Sequence, residues 1–143
     1  MGAHDHLVRA AHEAALRGHP QALRRRHQHG EREGQVKLRV LAWHAANDAR
    51  RETSPEVPVA WSDAARENLE RLVALLDEGT AAEQYLKAEA LRELGRFDEA
   101  LALLSRLLDA RYTGASARLR DLAERAIAGV APLQPEGSRH AIR

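Results

Sequence analysis

TAAEQYLKAEALRELGRFDEALALLSRLLDA, residues 80–110, decides the fold, because it spells two amphipathic helices and the turn between them. Thr80 followed three residues later by Glu83 is a capping box, in which the hydroxyl accepts the Glu83 amide and the carboxyl reaches back to the cap amide. The spacing then places Tyr85, Ala88, Leu91 and Leu94 on one helical stripe, and Gly95 supplies the left-handed conformation that ends many helices. Arg96 and Phe97 leave a very short connection, and Asp98 stands where an N-cap or first-turn acid favours the next helix dipole. Ala100, Leu101, Leu104, Leu107 and Leu108 form the apolar side of that second helix. So short a connection makes the two helices antiparallel neighbours whose apolar faces pack on each other.

Ala88, Leu91, Gly95, Phe97, Asp98, Glu99, Ala100, Leu104 and Leu107 fit the helix-pair pattern of the tetratricopeptide repeat, which this stretch resembles. Gln84 departs from it, where a Trp is frequent, and so does Tyr112, where a closing Pro is usual. The resemblance covers about a quarter of the chain, and a shift of 34 residues does not reproduce the Gly95–Ala100 signature elsewhere. It implies peptide or protein recognition through the first helix of the pair, whose exposed face would present Ala82, Tyr85, Glu89, Arg92 and Glu93. Tyr85 and Glu89 stand where a clamp for C-terminal carboxylates would need Lys and Asn, so chaperone-tail binding is not expected.

Working outward, Val36, Val40 and Trp43 recur at i, i+4 and i+7, with Leu41 and Ala45 broadening the stripe of a helix that runs to about Arg51. Thr53–Val59, with Pro55 and Pro58, reads as a linker. Ser62 or Asp63 caps a helix carrying Leu69, Leu72, Val73 and Leu76, with Trp61 folding back onto its neighbours and Gly79 as the stop. Ala115–Ala128 forms a last helix with Leu119, Leu122, Ala123 and Ala126 inward and Gly129 closing it. Toward the N-terminus, His4–Arg17 can form a helix capped by Asp5, and Pro20 suits the start of another. PQALRRRHQHGEREGQ is very polar and carries Gly30 and Gly34, so a short helix and a mobile loop are expected there. The expected fold is all-α: an antiparallel bundle or short solenoid of five to six helices with one tetratricopeptide-like pair. Residues 1–131 form its single domain, 1–34 are a His/Arg-rich and mobile part, and 132–143 are a disordered tail. Ala42–Arg51, Glu67–Asp77 and Leu86–Leu104 together also resemble the C-terminal part of certain uncharacterised bacterial proteins, which implies a bacterial origin and no function.

Composition narrows the chemistry. The 143 residues include no Cys, which excludes disulfides, thiolate zinc sites and a cysteine nucleophile. Aromatic residues make up 3% of the chain, so a core must come from Leu, Ala and Val in close helix packing. No apolar run approaches the roughly 18 residues of a membrane span, and the N-terminus lacks a hydrophobic signal core, which reads as cytoplasmic with no membrane partner. The net charge of +1 hides an asymmetry, since residues 1–51 carry 10 basic against 5 acidic side chains and seven of the eight His.

Those histidines raise a metal reading. His4 with His6, and His27 with His29, are H-x-H pairs that chelate only in an extended conformation, because on a helix they point about 200° apart. If Met1 is removed, Gly2-Ala3-His4 offers the amine, amides and imidazole that wrap Cu(II) or Ni(II) in a square plane. His12 opens a zincin-like HEAAL that lacks the second His at i+4, and Gly30–Lys37 lacks the Gly-Lys and Ser/Thr of a phosphate loop. Arg24, Arg25 and Arg26 form the basic cluster that phosphate contacts would want. Glu31 and Glu33 interrupt it and no aromatic is interleaved for stacking, which argues against nucleic acid. No Ser, His and Asp stand in a nucleophile context. The expectation is a non-enzymatic protein-interaction module without a cofactor, whose partner is a protein, a peptide or a second copy of the chain. The alternative is a His-rich metal-binding or nucleic-acid-binding protein using residues 4–37.

Overall fold

A computed structural model describes residues 19–48, 50–51, 56–57 and 60–131. The expected helix over 4–17, the His4 and His6 pair, most of the Thr53–Val59 linker and the tail after Ala131 lie outside them. Every regular element among the described residues is helical. The chain divides between Gln35 and Val36 into two units.

In the first unit, helix α1 (His19–Asp48) begins, with Pro20 in its first turn, where a missing N–H costs nothing. The helix passes Gly30 and Gly34 without a break, which corrects the expected short helix and loop. An interior glycine costs a helix only about 1 kcal/mol relative to alanine. It stops the helix only where a left-handed cap follows. Residues 21–31 and 33–35 are exposed, and His27 and His29 each lie 3.0 Å from a glutamate one turn on, Glu31 and Glu33.

The second unit begins with the remainder of α1, where Val36, Val40, Trp43 and Asn47 form one row, followed by Arg50 in the turn after the helix. Trp43, Asn47 and Arg50 are buried, and Val36 and Val40 pack partly buried against the core. Leu41, expected to widen this stripe, is 65% exposed, and Ala45 is exposed as well. Helix α2 (Asp63–Leu75) starts at Ser62, whose hydroxyl accepts the Ala65 amide at 3.2 Å, and it buries Leu69, Leu72 and Val73. It ends at Leu76, three residues before Gly79, whose amide donates to the Asp77 carboxyl in the following turn.

Helix α3 (Ala81–Glu93) is capped by Thr80, whose hydroxyl accepts the Glu83 amide at 3.2 Å. The Glu83 carboxyl accepts the Asp77 amide at 2.9 Å and so ties down the incoming loop. At the other end Gly95 takes φ +78°, the Arg96 amide donates to Leu91 O and the Gly95 amide to Arg92 O. That pair of bonds is the Schellman motif. Helix α4 (Phe97–Arg106) follows at once, with Asp98 and Glu99 in its first turn. Arg96 bridges the corner, donating to Glu99 at 2.7 Å and to Glu70 of α2 at 3.0 Å.

Ala100, Leu103, Leu104 and Leu107 are buried on α4 and its cap, whereas Leu101 is half-buried and Leu108 is 89% exposed. The helix stops at Arg106, so Leu108 leaves the helical register that would have turned it inward. Asp109 caps a 3-10 turn (Ala110–Tyr112) through the Arg111 amide, and helix α5 (Thr113–Glu124) completes the order. Helix α3 packs against α2, α4 and α5, and α4 against α5, so α3 is the central element. Leu69, Leu72, Leu103, Leu104 and Leu119 are within 1% of full burial, each stabilising the unit by roughly 1.5–3 kcal/mol relative to exposure.

The end of α5 differs from its expected form. Ala126 takes φ +53°, with Ala126 N–H donating to Ala123 O and Ile127 N–H to Leu122 O. This is a second Schellman motif, closed by alanine four residues after Leu122 and three before Gly129. Ala126 is therefore exposed rather than inward, while Ile127 packs with Leu122 and Ala131 in a small cluster of its own. Among the described residues no helix is long and apolar enough to cross a membrane.

Candidate functional site

The C-terminal turn of α3 places two charged side chains in the core. Glu93 is 2% exposed, and donors from a different helix converge on it. Trp43 Nε1–H donates to Oε2 at 2.9 Å, Asn47 Nδ2 donates to Oε2 at 3.0 Å and to Oε1 at 3.3 Å, and Arg50 Nη1 lies 3.7 Å away. Asn47 Oδ1 in turn accepts from Arg50 Nη1 at 3.2 Å. The Arg50 guanidinium stacks over the Trp61 ring at 3.8 Å, a cation–π contact, and Trp61 Nε1–H donates to the Glu93 backbone oxygen at 3.1 Å. The C-terminal part of α1 is thus keyed to α3 by a polar network. Burial lowers the Arg50 pKa, and the neighbouring Glu93 opposes that.

Arg92 is fully buried and donates through Nη1 to the backbone oxygens of Ile127 and Gly129, at 2.7 and 2.9 Å. It fastens the segment after α5 to α3. Among the described residues its Nε and Nη2 have no hydrogen-bond partner, although Nη2 lies 3.6 Å from Glu93 Oε1. Burial lowers its pKa, against the pull of Glu93 and Glu89.

One turn N-terminal to Glu93, on the stripe that continues through Tyr85, stands half-buried Glu89. Burial pushes its pKa up to about 7, with Glu93 adding to the rise and Arg92 opposing it. Tyr85 packs its ring against Tyr112 at the start of α5, with centroids 5.2 Å apart and planes tilted by 32°. Burial first and Glu89 second raise the Tyr85 hydroxyl well above its ordinary range. On α5 the Ser116 hydroxyl is buried without a hydrogen-bond partner among the described residues.

Of the five residues expected to line a groove, Ala82 is exposed and Tyr85 and Glu89 are half-buried. Arg92 and Glu93 are buried and belong to the core, because the chain after α5 covers one and α1 supplies donors to the other. Tyr112 joins the stripe in their place, and Trp43, Asn47, Arg50 and Trp61 support it. Asn47 and Arg50 carry a sequence signal, since they continue the Val36, Val40 and Trp43 row at helical spacing. In the first unit Arg24, Arg25 and Arg26 are exposed at successive helical positions, about 100° apart, and so fan around the axis rather than forming one face. The same helix separates His27 from His29, taking them out of the extended form that chelation by the pair needs. Among the described residues no three His, Asp or Glu converge on a common point. No family model, no curated protein and no solved structure matches the chain.

Proposed function

We propose that this protein is a non-enzymatic, tetratricopeptide-like interaction module that takes a peptide or protein segment along the Ala82, Tyr85 and Glu89 stripe of α3. The observation that carries this reading is the Tyr85–Tyr112 ring pair, which offers a half-exposed aromatic platform at the junction of α3 and α5 beside a carboxyl group. Aromatic side chains with a polar tip provide large contact area at little entropic cost, which is why they concentrate in binding surfaces. Glu89 adds selectivity. With a pKa of about 7 it gains from a cationic partner group that compensates its desolvation. A segment bearing Lys or Arg next to an apolar side chain fits both features, and a second copy of the chain counts among the candidates.

A displayed library of linear peptides, panned on the full chain, tests the reading. Enriched peptides should share a basic residue beside an apolar one and should lose at least about ten-fold in affinity, roughly 1.4 kcal/mol, against Glu89→Lys. Failure to enrich, or enriched peptides that bind Glu89→Lys and Tyr85→Ala equally well, would contradict it.

A further inference from the structure

A cleft of about 450 Å³ opens in the second unit where the end of α3, the residues after α5 and the segment around Trp61 meet. Its size falls within the roughly 300–1,000 Å³ of small-ligand sites. Three guanidiniums line it, those of Arg50, Arg66 and Arg125, together with the apolar surfaces of Trp61, Leu94 and Ile127. Two carboxyls also line it, Glu93 beside Arg50 and Glu56 beside Arg125, each 3.7 Å from its arginine, which leaves Arg66 as the lining cation with no ion pair among the described residues. Glu93 is also occupied by Trp43 and Asn47.

The arginines differ in what they offer. Arg50 is 8% exposed and is held flat on the Trp61 ring, yet its buried Nε has no hydrogen-bond partner among the described residues. A buried donor left unpaired is costly, and a site that supplies an acceptor recovers that cost. Arg66 is exposed, and among the described residues its guanidinium has no ion-pair partner. Arg125 is held by Asp121 at 3.3 Å and more loosely by Glu56. The cleft therefore combines one preorganised guanidinium, two that can close from the rim, and an indole with two aliphatic side chains as walls. Guanidinium forks match the paired oxygens of carboxylate and phosphate groups.

We infer that this cleft binds a small organic anion, a carboxylate or phosphate group on an apolar body, with the anionic group at Arg50, Arg66 and Arg125 and the body against Trp61, Leu94 and Ile127. This site is independent of the stripe on α3 and does not rest on the interaction reading.

Benzoate, phenyl phosphate and inorganic phosphate, titrated separately into the full chain at ionic strength held constant with sodium chloride, test the inference. The readouts are the Trp61 indole N–H and the Arg50 Nε–H in proton–nitrogen correlation spectra. Both signals should shift saturably with the organic anions, at midpoints at least about ten-fold below that of inorganic phosphate, and the arm that saturates first identifies the preferred head group. Arg66→Gln, at an exposed side chain with no ion-pair partner among the described residues, should raise the midpoint, and the Arg66→Gln, Arg125→Gln double variant should abolish saturation while the remaining spectrum stays in place. Shifts that never saturate, that sodium chloride alone reproduces, or that persist in the double variant would overturn the site. Equal midpoints for inorganic phosphate and the organic anions would overturn the ligand class.

Discussion

Glu89 and Glu93 stand one turn apart on α3, and the fold treats them in opposite ways. Glu93, the more deeply buried, receives Trp43 and Asn47 and lies beside Arg50. Glu89 receives no side-chain hydrogen bond among the described residues and answers its burial with a raised pKa. The difference lies in the facing element. Toward Glu93 point Trp43 and Asn47 of α1 and Arg50 of the turn that follows it. The charges that act on Glu89 are those of Glu93 and Arg92, and Arg92 spends Nη1 on the chain after α5. A buried carboxyl that meets converging donors locks two helices together, whereas one that meets none is left to titrate or to wait for a partner.

The largest effect should come from breaking the first half of this contrast. Glu93→Ala leaves Trp43 Nε1 and Asn47 Nδ2 without their acceptor and Arg50 without its ion-pair partner, and loss of one member of a buried charged network costs about 3–5 kcal/mol. Urea unfolding should show that loss in the midpoint, with Glu93→Gln, which keeps an acceptor oxygen, falling between the two.

The second half is sharpened by pH. Glu89 has a folded-state pKa of about 7 against an ordinary value of 4.5, so the folded state holds its proton more tightly than the unfolded chain does. Its stabilising contribution is full below pH 4.5 and is lost as pH rises through 7. The shift corresponds to up to about 3 kcal/mol. Glu89→Gln should thus match the wild type near pH 4 and exceed it in melting temperature at pH 8, so that the difference between the two curves isolates this group.

A smaller contrast of the same kind separates the two Schellman turns. Gly95→Ala places an alanine at φ +78°, where nothing crowds its Cβ, so the cost is conformational alone, about 1–2 kcal/mol. Ala126→Gly relieves the mirror-image situation at φ +53° and should stabilise by up to about 1 kcal/mol, part of which the added freedom of glycine in the unfolded chain takes back. Thermal unfolding of both variants measures the pair.

The helices that carry clear punctuation were legible in the sequence: Ser62 and Thr80 at the starts of α2 and α3, Gly95 at the α3–α4 corner, and the leucine rows between them. What escaped depended on choices made elsewhere in space. Asn47 and Arg50 continue the Val36, Val40 and Trp43 row but are polar, and only the position of Glu93 gives them a reason to be buried. Leu41 and Leu108 read as core because apolar residues at helical spacing usually are. One lies off the buried row of α1, and the other follows a helix that has already ended. Gly30, Gly34 and Gly129 looked like stops, yet α1 runs through the first two and α5 closes at Ala126, because a helix ends where its cap bonds can form. The candidate stripe of Ala82, Tyr85 and Glu89 came from what the tetratricopeptide resemblance implies, whereas the burial of Arg92 depended on where the chain after α5 would run.

The most direct test of the contrast between the two glutamates is a carbon-13 NMR titration of the side-chain carboxyl groups. The Glu89 signal should move with a midpoint near pH 7, well separated from the exposed glutamates, and Glu89→Gln should remove that transition alone. A Glu89 midpoint in the ordinary glutamate range near 4.5 would contradict the account, because the carboxyl would then have no unmet need for a partner.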